Sequence, residues 1–282
     1  MKKILFTLAA TLTSIWAMSQ FYVCKDGAVV YKIDDGVADS ITFTEPNFSK
    51  VTDVYHDGTE NGYNYVDLGL PSGTLWATCN VGAQSPSEYG DYFAWGEVEP
   101  KENYSWNTYK YGSDSDQLTK YCNKSDNGKE GYVDMKKVLD MEDDVAHVNF
   151  GGQWTIPTKT QQEELRSECY WVLTDSYNGS NVKGYIVYKA KSSSVKGKIG
   201  CGELISSEYS LSDAHIFLPN AGYYYEDNFI TYSGGYWSSS LAADPSDAWS
   251  VVLSSSCEIG VSYGGILGRS CGYSVRPVIP GE

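Results

Sequence analysis

Histidine, basic charge, paired cysteines and long apolar runs are all scarce in this chain, and each scarcity removes a class of function. Only His56, His147 and His215 occur in 282 residues, and there is no Gly-x-Ser-x-Gly elbow, so serine hydrolysis has little to be built from. A Ser238–His215 pairing is the single arrangement to check. Seven cysteines occur without one Cys-x-x-Cys spacing, which argues against structural zinc and leaves small buried thiols with at most one or two disulfides. Lysine and arginine number 21 against 36 acids, a formal charge of −15. The basic residues are scattered singly apart from Lys136-Lys137, which argues against nucleic acid, because phosphate binding needs a basic face. No apolar run reaches the roughly 18 residues of a membrane-spanning helix, so no transmembrane segment is expected.

The longest such run, residues 4–16, follows Lys2-Lys3 and precedes Ala17-Met18-Ser19, the layout of a signal peptide over residues 1–19. Export is therefore expected, to a secreted, periplasmic or cell-surface location. Cys24 follows the bulky Phe21-Tyr22-Val23, where a lipid-attachment site needs a small residue. Residues 20–46 read as a small β segment, with strands at 21–24, 29–33 and 40–43 and a turn at Asp26-Gly27. Residues 47–62, rich in Asp, Gly, Asn and Thr, suit a linker, and a main domain is expected over 63–282.

That domain is expected to be organised around residues 150–172. Gly151-Gly152 frees a turn, Trp154 and Ile156 alternate like a strand, and Pro157 ends any helical tendency before it. Thr158 with Gln161 reads as a capping box opening a helix over 160–168, with Leu165, Cys169 and Val172 at helical spacing. A second helix is expected within 140–149. Short apolar segments at 65–68, 75–78, 92–95, 184–189, 216–218, 236–239, 248–253 and 273–278 read as strands, and the polar, tyrosine-rich stretch 104–131 reads as loop. The class is α+β, with short strands, few helices and long loops.

Ordered blocks then give a resemblance. Tyr65-Val66-Asp67-Leu68-Gly69-Leu70-Pro71-Ser72-Gly73-Thr74-Leu75-Trp76-Ala77-Thr78-Cys79-Asn80-Val81-Gly82-Ala83, Tyr92-Phe93-Ala94-Trp95-Gly96-Glu97, Asp143-Asp144-Val145-Ala146, Trp154-Thr155-Ile156-Pro157-Thr158, Leu218-Pro219-Asn220-Ala221-Gly222, Tyr236-Trp237-Ser238-Ser239-Ser240 and Gly272-Tyr273-Ser274-Val275-Arg276-Pro277-Val278 resemble the Fibrobacter succinogenes major paralogous domain family. The similarity runs from Tyr63 to the end. It implies a C-type-lectin-like, sulfatase-modifying-factor-like domain whose last strand returns to the sheet, with Trp95, Asp144, Trp154, Pro157, Thr158, Trp237 and Arg276 as structural motif residues. Formylglycine-generating enzymes of that superfold hold copper on two nearby cysteines, whereas Cys257 and Cys271 stand fourteen apart. Glu99-Pro100-Lys101 and Asp247-Ala248-Trp249-Ser250 depart likewise from the calcium-lectin pattern. A shared superfold carries no activity by itself.

The remaining candidates for chemistry are few. Asp143 and His147 are spaced to share a metal, but an exposed helix face with Asp144 near its start is the simpler reading. Glu97 with Glu99, and Glu163 with Glu164, offer paired carboxylates. Asp114-Ser115-Asp116 begins like a calcium loop but continues with Leu118 and Thr119, so it reads as solvated loop; calcium is possible without a motif, and no cofactor is expected. Tyrosine is the informative surplus, 24 residues. Trp76, Trp95, Trp154 and Trp237 are expected in the core. Tyr104, Tyr109, Tyr111, Tyr223, Tyr224, Tyr225 and Tyr232 are expected on loops, where exposed rings bind a glycan or a surface protein. The function expected is an exported, non-catalytic recognition or adhesion domain of open oligomeric state. The alternatives are an enzyme on the same scaffold, a degenerate oxidase or hydrolase, and a structural part of a surface assembly.

Overall fold

Trp154-Thr155-Ile156-Pro157-Thr158 is where the main domain's elements meet in the computed structural model of the chain. The structure describes residues 54–200, 208–254 and 268–281, together with the backbone alone of two N-terminal strands, Cys201 and residues 259–263. The chain divides into two units, Met1–Thr52 and Asp53–Glu282. The first contains an antiparallel hairpin of β1 (Phe21–Lys25) and β2 (Ala28–Ile33) with a bulge at Val23/Cys24. The signal peptide and the strand expected at 40–43 lie outside the described residues.

The second unit is mostly β, with few helices and several small sheets. β3 (Gly58–Glu60), β4 (Tyr63–Val66), β5 (Leu75–Ala77) and, at the far C-terminus, β15 (Val278–Ile279) form one sheet in the order β15-β5-β4-β3. Ordered chain thus begins ahead of Tyr63: residues 58–60, within the expected linker, pair with β4. A second sheet orders β8 (Ile199–Cys201), β6 (Tyr170–Thr174), β7 (Gly184–Tyr188) and β9 (His215–Pro219). A third is β12 (Ser233–Leu241), β13 (Ala248–Ser254) and β14 (Ile259–Tyr263), and β10 (Tyr223–Tyr225) pairs with β11 (Asn228–Ile230) as a hairpin.

The two α-helices among the described residues are short and their starts are set by side chains. α1 (Val145–Phe150) is capped by Asp144, whose carboxylate accepts from His147 N at 3.0 Å and from Ile156 N at 2.8 Å. Asp144 is buried, not on an exposed helix face as expected, because it ties the helix start to the central stretch. Residues 141–143 form a separate 3₁₀ turn, which shortens the helix expected over 140–149. α2 (Lys159–Glu168) opens on the capping box: Gln161 N donates to Thr158 Oγ1 at 3.3 Å, and Thr158 N to Gln161 Oε1 at 2.8 Å. It ends one residue before Cys169, so Val172 is not on it. Tyr170–Thr174 is drawn into β6 by antiparallel pairing with β7 and parallel pairing with β8, and this tertiary pairing overrides the helical spacing.

Trp154 is fully buried, and its indole N–H donates to Glu60 O at 2.9 Å. Thr155 exchanges two 2.9 Å backbone bonds with Val278, Pro157 O accepts from Ser239 N, and the Gln162 amide donates to the carbonyls of Tyr236 and Trp237. Gly151 and Gly152, at φ 66° and 58°, make the turn that lets α1 and the strand-like stretch fold back on each other. Two cores flank this hub. One gathers Trp95, Phe150, Trp154, Trp237 and Tyr273, and the other gathers Trp76, Leu165, Trp171, Tyr185 and Leu253. Arg276 is fully buried and ties distant segments together: it donates to Asn80 Oδ1, to the carbonyls of Ala77 and Thr78, and to Phe217 O, at 2.9–3.1 Å.

Candidate ligand-binding surface

The tyrosines divide sharply between core and surface. Tyr104, Tyr109, Tyr111 and Tyr223 are buried, which corrects the expectation of exposed loop rings. The loop itself is irregular as expected, but each phenol finds an acceptor or partner outside its own turn. Tyr104 Oη donates to Tyr92 O at 2.5 Å, Tyr109 Oη to Trp95 O at 2.7 Å, and Tyr111 Oη to Asp143. Tyr223 Oη lies 3.1 Å from Tyr232 Oη. A tyrosine whose hydroxyl is satisfied is buried as readily as a phenylalanine, so irregular chain can carry core without any periodic pattern.

Tyr224, Tyr225 and Tyr232 remain available, and the β10–β11 hairpin explains their arrangement. Along β10 burial runs from buried Tyr223 through half-buried Tyr224 to exposed Tyr225. The hairpin is clamped twice along the outer edge of β10: Tyr224 and Gly272 exchange backbone bonds at 2.9 and 3.0 Å, and so do Tyr104 and Glu226 at 2.7 and 3.0 Å. Gly272 has to be glycine here, since a Cβ would lie 2.7 Å from the Tyr104 ring. Glu226, at φ 58°, and Asp227 form the tip.

Phe229, opposite Tyr224, is the ring that sequence reasoning missed; it sits in a polar Asp-Asn turn with no pattern around it. It packs 5.0 Å from Tyr224 and 5.7 Å, edge-on, from Tyr92. Tyr225 is 40% exposed, Phe229 41% and Tyr232 67%. Because side chains alternate across a strand, Tyr225 and Phe229 leave opposite faces of the hairpin. The result is a protruding wedge with an acidic tip. Behind it Tyr224 stacks on buried Tyr104 at 5.4 Å, and Tyr223 meets Tyr273 edge-on at 5.4 Å, so the wedge stands on core.

The carboxylate candidates are held in structural roles. Glu97 accepts from Lys110 N and pairs with Lys101 at 2.8 Å, while Glu99 is exposed; Glu164 caps Ser72 N, and Glu163 pairs with Lys159. Asp143 faces Lys120, Tyr111 and Tyr121 and not His147, whose Nδ1 lies 3.3 Å from Trp154 O. Burial works against ionised Asp143, but the Lys120 ammonium at 2.5 Å and the two phenols outweigh it and hold the carboxyl down at about 2. Asp140, Glu142 and Asp143 converge closely enough to suggest a metal, yet Lys120 Nζ lies 2.9, 3.5 and 2.5 Å from them. The lysine already supplies the positive charge that a calcium ion would bring.

Asp114 and Asp116 are exposed, with Asp114 accepting from Ser115 N. His215 is buried, with Nε2 2.9 Å from Tyr177 Oη and Nδ1 2.8 Å from Asp213 O, so both ring nitrogens are engaged away from Ser238. Cys271 is buried, and Cys257 lies outside the described residues. One cleft of about 250 Å³ is lined by Tyr63, Thr78, Cys79 and Phe150 among others, and one of about 360 Å³ by Val172, Ile186, Tyr188 and Tyr209 among others. Neither lining contains a histidine, a lysine or a carboxylate.

Comparison of the chain with protein-family models, with curated proteins and with solved structures finds no match in any of the three. Among the described residues no helix is long and apolar enough to cross a membrane.

Proposed function

We propose that this chain is an exported, non-catalytic recognition domain that binds through the β10–β11 wedge. The observation that carries the reading is the division of the aromatic rings: most are packed in the core, while Tyr225 and Phe229 on a doubly clamped hairpin, and Tyr232 just after it, are exposed. Aromatic side chains fixed on a rigid support suit binding, because little entropy is lost when they are covered. A wedge with a ring on each face favours a protein partner with a matching groove. Tyr232 favours a second reading, since its ring is mostly open while its hydroxyl is tethered to Tyr223, and an open ring stacks on the apolar face of a neutral sugar.

The lectin-like scaffold implied by the family resemblance belongs to the same proposal. Its support is that the motif residues Trp95, Asp144, Trp154, Pro157, Thr158, Trp237 and Arg276 sit in the core or at joints between elements, and that long irregular stretches connect small sheets. Export rests on the leader pattern. The test is a glycan array together with chemical cross-linking on the wild-type chain and on Tyr225→Ala/Phe229→Ala and Tyr232→Ala. A ligand lost on the double variant supports protein recognition, and one lost on Tyr232→Ala alone supports sugar. A ligand bound equally by all three places binding elsewhere and overturns the reading.

A further inference from the structure

The cleft of about 250 Å³ beside the β4–β5 pair and the end of α1 has braced walls and no ionised group in its lining. Thr78 N donates to Asn64 O at 3.0 Å. This carries the β4–β5 register one step past the strands and sets Cys79 across from Tyr63. Side chains alternate along a strand, so Tyr63, Ala77 and Cys79, which all line the cleft, share one face. Tyr63 is 37% exposed and is held at both ends of its ring. The ring lies on buried Phe150, with centroids 3.5 Å apart and planes 8° from parallel, and its hydroxyl donates to Asn149 O at 3.4 Å. Ala83 and Gln84 line the cleft from a turn that is fixed as firmly. Gly82 opens that turn at φ 82°, where a Cβ would lie 2.8 Å from Asp91 N. Ala83 N then donates to Asn80 O at 3.1 Å and Gln84 N to Glu88 Oε2 at 2.8 Å. Gln84 is exposed, and its side-chain amide makes no hydrogen bond among the described residues.

These groups narrow the class of ligand. A charged ligand would give up its hydration here without meeting a counter-ion, and the net charge of −15 repels anions besides. A wholly apolar ligand would cover the Gln84 amide without pairing it. A sugar ring suits both features. Its C–H face packs on an aromatic ring, and its hydroxyls can donate to the amide oxygen and accept from the amide nitrogen. The cleft is slightly smaller than the ~300 Å³ at which sites for drug-sized ligands begin, so its room is for about one such ring.

From this combination we infer that the cleft is a binding site for one ring of a neutral sugar, packed against Tyr63 and hydrogen-bonded by Gln84. The site shares no residue with the β10–β11 wedge and stands whether or not the wedge binds a partner.

Cys79 supplies a reporter inside the cleft, being half-exposed where Cys122, Cys169 and Cys271 are buried. The native full chain is alkylated with N-ethylmaleimide in a concentration series of glucose, galactose, mannose or N-acetylglucosamine, and labelling of Cys79 is followed by peptide mass mapping. Saturation-transfer NMR on the same sugars gives a readout that does not depend on the thiol. At least one sugar is expected to suppress Cys79 labelling saturably and to receive magnetisation from the protein. Gln84→Ala is expected to lose both signals with an unchanged melt, since its side chain is exposed, and Tyr63→Ala is expected to lose them as well. Tyr232→Ala is expected to keep them. Neither signal with any of the four sugars overturns the inference, and so do signals that survive both Gln84→Ala and Tyr63→Ala. Protection of Cys79 by a proline-rich peptide where no sugar protects it would make the cleft a peptide site. Loss on Tyr232→Ala with Gln84→Ala unaffected would move the sugar to the wedge, and either result overturns the inference too.

Discussion

Asp143 and Asp144 are sequence neighbours that respond to acid in opposite senses. Burial pushes the Asp144 carboxyl up to about 6, against the pull of the N–H groups of His147 and Ile156. The folded state therefore holds this proton more tightly than the unfolded chain. That contribution to stability is full below the ordinary aspartate range and is lost as pH rises through about 6. Asp143, held at about 2, contributes stability above the ordinary range that is lost as pH falls towards 2. His215 is lowered by burial. It takes up its proton in the unfolded chain first, so stability falls as pH drops below the ordinary imidazole range.

Denaturant titrations of wild type and Asp144→Asn should separate these contributions. Between pH 7 and pH 4 the wild type is expected to gain on the variant by about 2 kcal/mol, the asparagine being unable to take up the proton. A constant difference across that range would place Asp144 in contact with water. In NMR, the His215 ring is expected to titrate with a midpoint below that of a free imidazole; a midpoint at or above it would mean that the Tyr177 and Asp213 contacts do not persist in solution.

Around α2 the local rules and the tertiary packing carry unequal weight. Thr158→Ala removes one side of the capping box and is expected to cost about 1 kcal/mol, whereas Trp154→Ala empties the hub and costs on the order of 3 to 5 kcal/mol. Urea melts check the order; similar small losses for both would mean that Trp154 does not anchor the unit. These features were readable because they are local: a cap, a proline turn and one large ring lie within a few residues. The end of α2 at Glu168 was readable as well, but the strand after it was not, since Cys169 and Val172 keep helical spacing and only pairing with β7 and β8 turns the chain into β6. The hairpin at 223–230 was half readable. Three tyrosines in a row force some outward, but which ones depends on Gly272 and Tyr104, distant in sequence.

At the scale of the whole molecule, the aromatic surplus serves two ends. Tyr109, Tyr111 and Tyr121 build core in irregular chain by sending each hydroxyl to Trp95 O or Asp143, and those acceptors cannot be found from composition. Burying rings there leaves Tyr225, Phe229 and Tyr232 gathered in the open at the β10–β11 wedge, while Tyr132 is exposed on a separate loop. Tyrosine nitration of the native full chain, mapped by peptide mass, tests that division directly. The account predicts early modification at Tyr225, Tyr232 and Tyr132, with Tyr104, Tyr109, Tyr111 and Tyr223 protected until the protein unfolds. Nitration of Tyr104 and Tyr109 as fast as Tyr225 in the folded protein would contradict it, because the recognition surface would then include the loop that the structure places in the core.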